Sequence, residues 1–196
     1  MMKNKIKVVL SIFVICSAFT FGQNEEFNLI KLDSTWGQEV LRFPARDMDY
    51  IGVGDIRFPP KGWINPEHTF FWSYTYAWSI NVNRKIPTTE LEIDLVKYFN
   101  SLNKVDVNDK GDKRKATAKI IRIKRKKSIT FFEGKVYTYD RFATNKRFVL
   151  NVKIESHFCK KEQKTVLLFK FSPKEFKHKV WVTLNEIMLI NEHCNK

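Results

Sequence analysis

The sequence predicts an α+β fold in which an antiparallel β-sheet is packed by two helices. Three observations lead to this class: an alternating aromatic strand pattern, a helical pattern directly after it, and a series of β-like segments that ends in a second helical pattern. The chain has 196 residues, of which 43% are hydrophobic. A chain of this size buries a core of its own, so a single domain over residues 23–196 is expected.

The first strand and the first helix are the most regular part of the pattern. From Phe70 to Val82, aromatic and aliphatic residues occupy one side of the alternation, as in a strand with one apolar face. Thr89 and Glu92 then have the spacing of a capping box. A helical repeat follows at Leu91, Leu95, Tyr98, Phe99 and Leu102. We expect the aromatic face of the strand to pack under this helix.

The second half of the chain is rich in strand patterns. β-like segments lie at residues 115–126, 128–133, 135–140, 148–158 and 165–171. Glu133-Gly134 is typical of a hairpin turn, and Ser172-Pro173 ends the last strand. An apolar stripe over residues 178–193 predicts the closing helix.

Residues 23–68 are predicted to be an irregular segment that wraps around the domain. The segment is interrupted by Phe43-Pro44, Gly52, Gly54 and Phe58-Pro59-Pro60. Proline lacks the backbone donor that a central strand needs, and glycine weakens a strand, so only short strands are expected here.

Residues 1–22 have the layout of a cleaved secretory signal peptide. Lys3, Lys5 and Lys7 precede an apolar run from Val8 to Phe21, and cleavage is expected after Gly22. The run is shorter than the roughly 20 residues that cross a bilayer, so no transmembrane segment is expected after cleavage. The protein is therefore predicted to be an exported bacterial protein, either periplasmic or secreted.

Cleavage at this position would leave two cysteines, Cys159 and Cys194. An even number of cysteines in an oxidising compartment favours a disulfide, although two free thiols are the alternative. The bridge would tie a strand end to the C-terminal segment.

The net charge of +14 is concentrated in a basic stripe, because residues 110–127 contain ten basic residues and one acid. Such a stripe can hold phosphates, anionic lipid head groups or acidic polysaccharide. The alternative is a solvated edge strand whose lysines discourage aggregation. Nucleic acid is not an expected partner of an exported protein. The candidate polyanion-binding residues are Lys113, Arg114, Lys115, Lys119, Arg122, Lys124, Arg125, Lys126 and Lys127.

A second candidate site is an acidic and aromatic cleft near the N-terminus. Its members are Glu39, Asp47, Asp49, Asp55, Arg57 and Trp63. Paired carboxylates supply acid and base or nucleophile in glycoside hydrolases, and tryptophan stacks on sugars. The alternative is an ion pair between Asp55 and Arg57, or turn capping by these acids.

Local motifs of common enzyme classes are missing from the sequence. The histidines form no His-Glu-x-x-His pattern and the cysteines no Cys-x-x-Cys pattern, which disfavours a zinc site. A nucleophile elbow, a P-loop and a dinucleotide fingerprint are also missing. We therefore assign no catalytic residue, no metal ligand and no cofactor.

Several short motifs together resemble an uncharacterised family of exported bacterial proteins, over nearly all of the chain after the signal. They are Trp36-Gly37-x-Glu39, Asp55-Ile56-Arg57-Phe58, Gly62-Trp63, Phe71-Trp72-Ser73-Tyr74, Ser172-Pro173 and Trp181. This resemblance implies no activity. The order of elements also resembles the Mog1/PsbP-like α/β/α sandwich, whose members often act as non-catalytic accessory factors.

Three functional hypotheses follow. The favoured one is a non-catalytic periplasmic or secreted accessory or binding protein, whose partner would be another envelope protein or an anionic surface. The second is a hydrolase that acts on cell-wall or extracellular carbohydrate. The third is a polyanion or membrane-surface binder that uses residues 113–127.

Overall fold

The structure, a computed structural model, describes residues 27–194 and has the predicted α+β class. The predicted signal peptide at residues 1–22 lies outside the described residues. The strands are β1 (Ile30–Lys31), β2 (Gly37–Ala45), β3 (Met48–Phe58), β4 (Tyr74–Ile80), β5 (Thr117–Lys126), β6 (Ile129–Asp140), β7 (Lys146–Cys159), β8 (Lys164–Ser172) and β9 (Met188–Leu189). The helices are α1 (Thr88–Leu102) and α2 (Val180–Glu186), and a 3₁₀ turn covers Asn191–His193.

Seven strands form one antiparallel sheet in the order β2-β3-β4-β8-β7-β6-β5, and β1 pairs with β9 in a separate two-stranded sheet. Most neighbouring strands are joined by hairpin turns, but β3 and β4 are connected by the long segment 59–73. Between β4 and β8, α1 and three strands are inserted. The two strands that meet in the middle are therefore far apart in sequence, and their pairing closes the domain.

The larger core lies on the face of the sheet that α1 covers. Tyr74, Tyr76 and Trp78 of β4 point into it and are almost completely buried. Leu91, Leu95 and Phe99 of α1 pack in the same cluster. The aromatic face of the strand thus packs under the helix, as predicted. The strand is shorter than predicted, however, since it begins at Tyr74, and Phe70 packs against the core on the opposite face. Each of these large rings contributes roughly 2 kcal/mol or more of burial free energy.

The opposite face carries a smaller core beneath α2 and the N-terminal segment. Trp36, Ala77, Leu168 and Trp181 are buried there. The pairing of Ile30 with Leu189 holds the N-terminal segment beside the C-terminal one. Both faces of the central strands are therefore covered, which explains why β8 is buried at nearly every position.

The N-terminal region differs from its prediction, since residues 37–58 form a long hairpin rather than an irregular segment. β2 and β3 pair from Gly37 to Met48, and the turn places Arg46 and Asp47 at positive φ. The glycines that suggested turns have a packing role instead. A Cβ on Gly54 would lie 2.5 Å from Cε2 of Tyr76, so the glycine lets the ring lie against the strand.

The predicted turn at Glu133-Gly134 is also wrong, because β6 runs without a break through both residues. Gly134 is paired with Ile120, and a Cβ there would overlap the carbonyl oxygen of Lys119. This glycine allows a close approach of β5. The turn between the strands is made instead by Lys127, which has a φ of 54°, and Ser128.

The closing helix is shorter than predicted, since α2 ends at Glu186 rather than continuing to residue 193. Ile187 is extended, and Met188 and Leu189 then pair with β1. The apolar residues beyond 186 are thus explained by strand pairing, which a helical stripe does not distinguish from helix.

The predicted capping box is not formed, because Pro87 is the N-cap of α1 and no side chain caps the first turn. Glu92 instead accepts a hydrogen bond at 2.7 Å from the backbone N–H of Ile120 in β5. Asn100, two turns later, accepts one at 2.7 Å from the N–H of Ala116. Side chains of α1 therefore accept the backbone N–H groups of edge strand β5 that a neighbouring strand would otherwise bind.

Candidate functional site

The two predicted cysteines lie at disulfide distance, with 5.3 Å between their Cα atoms. Cys159 ends β7, and Cys194 directly follows the 3₁₀ turn. A bond between them would join the C-terminal segment to the sheet, next to the β1–β9 pairing.

The first part of the basic stripe is engaged in local contacts. Arg114 Nη2 lies 2.6 Å from Asp112 Oδ2, and the hydrogen bonds of Arg114 lower the pKa of that carboxyl. Lys119 Nζ lies 3.6 Å from Glu92 Oε1. Lys115 donates to a backbone carbonyl of the preceding loop. These bases hold the loop and the start of β5 against α1.

The second part of the stripe forms the exposed tip of the β5–β6 hairpin. Every residue from Ile121 to Ser128 is exposed. Lys124 lies over the Phe131 ring, with Nζ 5.1 Å from its centroid, whereas Lys126 and Lys127 extend from the turn. The continuous stripe of the sequence is thus two surfaces at opposite ends of the strand.

A groove of about 500 Å³ lies between the start of α1 and this hairpin. We call it the cationic groove, because three exposed bases line it: Lys85, Arg122 and Arg125. Among residues 27–194, none of these three has an acidic partner within 4.0 Å. Its floor is formed by the buried side chains of Ile86, Ile120, Thr130 and Phe132.

Two features explain the geometry of the cationic groove. The bulge of β5 between Arg122 and Lys124 lets Arg122 and Arg125, three positions apart, both reach the α1 side of the sheet. The uncapped first turn of α1 also leaves backbone N–H groups at the helix end, beside Lys85. Free N–H groups and the helix dipole add to the positive potential there.

The acidic and aromatic cleft is not assembled as predicted. Asp55 is fully buried on the α2 face, where its Oδ1 lies 2.7 Å from Arg57 Nε. Its Oδ2 accepts backbone N–H groups of Leu29 and Ile30 at 2.8 and 3.1 Å. Asp55 therefore anchors the N-terminal segment. Its contact with Arg57 is the ion pair that the sequence analysis gave as the alternative to a cleft.

The other members of that cleft lie elsewhere. Asp47 is in the β2–β3 turn, and Asp49 is exposed on β3. Glu39 and Trp63 line a pocket on the α1 face, opposite to Asp55. The structure thus brings together Glu39 and Trp63 and separates both from the buried ion pair.

We call this cavity the aromatic pocket; it has a volume of about 270 Å³ and lies at the C-terminal end of α1. Charged side chains from three turns and one strand reach it: Arg46, Lys104, Arg141 and Glu39. Its aromatic lining is Phe58, Trp63, Trp72, Tyr74, Tyr98 and Phe142. Burial raises the pKa of Tyr98 to about 12 and also raises the pKa of Tyr74, so both phenols are neutral at physiological pH.

A polar cluster on the α2 face was not identified from the sequence. Lys170 is buried, with Nζ 3.2 Å from Glu155 Oε1, and His157 lies 3.5 Å from the same carboxylate. Burial lowers the pKa of Lys170, and the Glu155 charge opposes this. Glu155 and His157, which lie two positions apart on β7, were the sequence feature that could have indicated it. Because these charges bind one another, the cluster is typical of a buried ion-pair network.

Another buried acid connects α1 to β3. Tyr50 donates to Asp94 Oδ2 at 2.6 Å and to Glu90 Oε1 at 3.1 Å, and Arg84 forms a two-pronged ion pair with Glu90. Burial, together with the Glu90 charge, raises the pKa of Asp94 to about 6, although the Tyr50 hydrogen bond opposes the shift. Arg84 is thereby occupied, which leaves Lys85 as the unpaired base of this loop.

Comparisons with protein-family models, with curated proteins and with solved structures find no match for this chain. Within residues 27–194, no group of three or more His, Cys, Asp or Glu is placed to hold a metal ion. Neither helix in that range is long and apolar enough to cross a membrane.

Asp94→Asn is expected to stabilise the protein at neutral pH. A carboxyl whose folded-state pKa is about 6, against about 4 when unfolded, costs stability as pH rises between those values. The variant, measured by urea unfolding, should exceed the wild type by about 1–3 kcal/mol at pH 7.5 and match it near pH 4. Asp49→Asn, which removes a carboxylate at an exposed position, is the control. A gain for Asp94→Asn that is independent of pH would contradict the assignment.

Proposed function

We propose that this protein is an exported, non-catalytic binding protein that holds a linear anionic polymer in the cationic groove. The main observation in support is the groove itself, because Lys85, Arg122 and Arg125 line one concave surface. Among the described residues, none of the three has an acidic partner. Unpaired cations around a cleft concentrate positive potential and attract anionic ligands.

The shape of the site favours a chain over a flat surface. A groove of about 500 Å³ admits a row of sulfates, phosphates or carboxylates, whereas the head groups of a bilayer meet only protruding side chains. Arginine at two of the three positions suits this ligand, because its planar guanidinium binds oxyanions with two hydrogen bonds.

The hairpin tip would assist from outside the groove. Lys124, Lys126 and Lys127 are exposed and lie along the same strand and turn. Charges of this kind increase the association rate and bind the flanking parts of a polymer, with an effect that weakens as salt screens them. The proposal therefore uses only the second half of the predicted stripe.

Carbohydrate hydrolysis has less support. A glycosidase needs two carboxylates about 5–10 Å apart across a substrate. Glu39 and Asp55 face opposite sides of the sheet, and Asp55 is fully buried in its ion pair with Arg57. We retain a binding function for this reason.

Two further points of the proposal concern location and fold. Export is supported by the N-terminal pattern of Lys3, Lys5 and Lys7 before an apolar run, together with the cysteines at disulfide distance. A Mog1/PsbP-like sandwich is supported by one helix on each face of the sheet. An accessory role beside another envelope protein fits such an architecture.

The binding proposal predicts a strong salt dependence for a heparin-derived oligosaccharide, used as a probe of sulfate-bearing polymers. Between about 50 and 200 mM NaCl the affinity should fall by about 100-fold, because bound cations release counterions. Arg122→Gln with Arg125→Gln should weaken binding about tenfold at low salt and reduce the slope of log affinity against log salt by about 2. Isothermal titration calorimetry measures both quantities.

The matched control is Lys110→Gln with Lys113→Gln, which removes the same charge from exposed positions at the other end of the stripe. It should bind nearly as well as the wild type. A salt-independent affinity, equal loss in both double variants, or binding to anionic vesicles without binding to the oligosaccharide would contradict the proposal.

Export predicts the mass of the protein recovered from the cell that produces it. The mass should correspond to a chain that starts at Gln23 and takes up two alkyl groups only after reduction. Intact mass spectrometry before and after reduction and alkylation tests this. A chain that retains residues 1–22, or that is alkylated without a reductant, would contradict it.

A further inference from the structure

We propose that the aromatic pocket at the C-terminal end of α1 is a second binding site, which takes a small aromatic carboxylate. This site is separate from the cationic groove, which lies at the other end of the same helix. The inference does not depend on the polymer-binding proposal.

The walls of the pocket are rings that already pair with one another. Trp63 stacks on Phe58, with 4.7 Å between ring centroids. It also lies edge-on to Trp72 at 6.0 Å and is tilted against Phe142 at 5.9 Å. Rings arranged in stacked and edge-on pairs offer the same geometries to a further ring, so an aromatic body suits this lining.

The size of the pocket limits the ligand. A volume of about 270 Å³ lies just below the roughly 300–1,000 Å³ of pockets that hold drug-sized molecules. Trp63 is partly exposed and Phe142 is 40% exposed, so the pocket is open to solvent on this side. One or two fused rings with a short polar group match these dimensions.

The charges around the pocket favour an anion. Three cationic side chains line the pocket, those of Arg46, Lys104 and Arg141, against a single carboxylate, that of Glu39. Arg46 Nη2 lies 3.8 Å from Glu39 Oε1. Lys104 and Arg141 have no acidic partner among the described residues; Arg141 lies 4.8 Å from the centroid of the Phe142 ring. After the Arg46–Glu39 pair is subtracted, two positive charges remain at the rim.

The end of α1 offsets part of this surplus, because a helix C-terminus carries partial negative charge. One terminal carbonyl, that of Asn103, already accepts a hydrogen bond from Arg114 Nη1 at 3.4 Å. The phenols of Tyr74 and Tyr98 add no charge, since burial raises the pKa of both. The rim therefore stays positive at neutral pH.

Three residues that line the pocket have an unusual backbone conformation, which also supports a binding site here. Arg46, Trp72 and Lys104 all have φ values between 50° and 53°. A bulky side chain such as tryptophan rarely adopts this left-handed conformation, and residues of this kind concentrate at ligand sites. The fold thus holds Trp72 in the wall, and Arg46 and Lys104 at the rim, in backbone conformations that cost free energy.

The test compares 2-naphthoate with 2-naphthamide, which has the same ring system and shape but no charge. Isothermal titration calorimetry on the chain from Gln23 onward should show naphthoate binding at least tenfold more tightly than the amide. Lys104→Gln with Arg141→Gln should weaken naphthoate binding about tenfold and leave the amide unchanged, because both side chains act through charge. Trp63→Ala should weaken both ligands.

Lys160→Gln with Lys161→Gln is the matched control, since it removes two exposed charges at the β7–β8 turn, at the opposite end of the sheet. Thermal unfolding checks that each variant is folded. If Trp63→Ala does not fold, the variant with Lys104→Gln and Arg141→Gln still tests the proposal. No binding of naphthoate at millimolar concentration, equal affinity for acid and amide, or equal effects of the rim and control variants would each overturn the proposal.

Discussion

The fixation of edge strand β5 by α1 is the interaction on which the rest of the structure depends. Glu92 and Asn100 accept the N–H groups of Ile120 and Ala116, both at 2.7 Å, where a neighbouring strand would otherwise bind. Without these bonds the edge would present unpaired donors, which promote association between sheets. Because the helix covers β5 only as far as Ile120, the strand beyond it is free to carry exposed cations.

Both cavities follow from the position of this helix. Its N-terminal end meets the outer half of β5 and forms the cationic groove, where the helix dipole and the bases of Arg122 and Arg125 act in the same sense. Its C-terminal end meets the loop that holds Trp72 and forms the aromatic pocket. One packed helix thus borders two cavities of different character, both on the face of the sheet opposite to α2.

Features that arise from local sequence patterns could be predicted from the sequence, whereas features that arise from contacts between distant residues could not. The alternation in β4 and the helical repeat of α1 are local, and both elements were predicted, although β4 begins at Tyr74 rather than at Phe70. The β2–β3 hairpin was missed because Gly54 serves the packing of Tyr76, a contact between strands that local pattern does not show. Arg122 and Arg125 were among the predicted binding residues, but Lys85 was not, since only the fold brings it to them. Glu39 and Asp55 were grouped by sequence distance, although the two side chains occupy opposite faces.

The central claim is that a polyanion binds at the start of α1 and the outer half of β5. Chemical-shift mapping on the ¹⁵N-labelled protein, titrated with a heparin-derived hexasaccharide, tests this most directly because it locates the ligand without any substitution. We expect the largest shifts at the backbone amides of Lys85, Thr88, Arg122 and Arg125, which border the groove. Shifts that concentrate in residues 110–119, or that spread over the surface without a maximum, would contradict it.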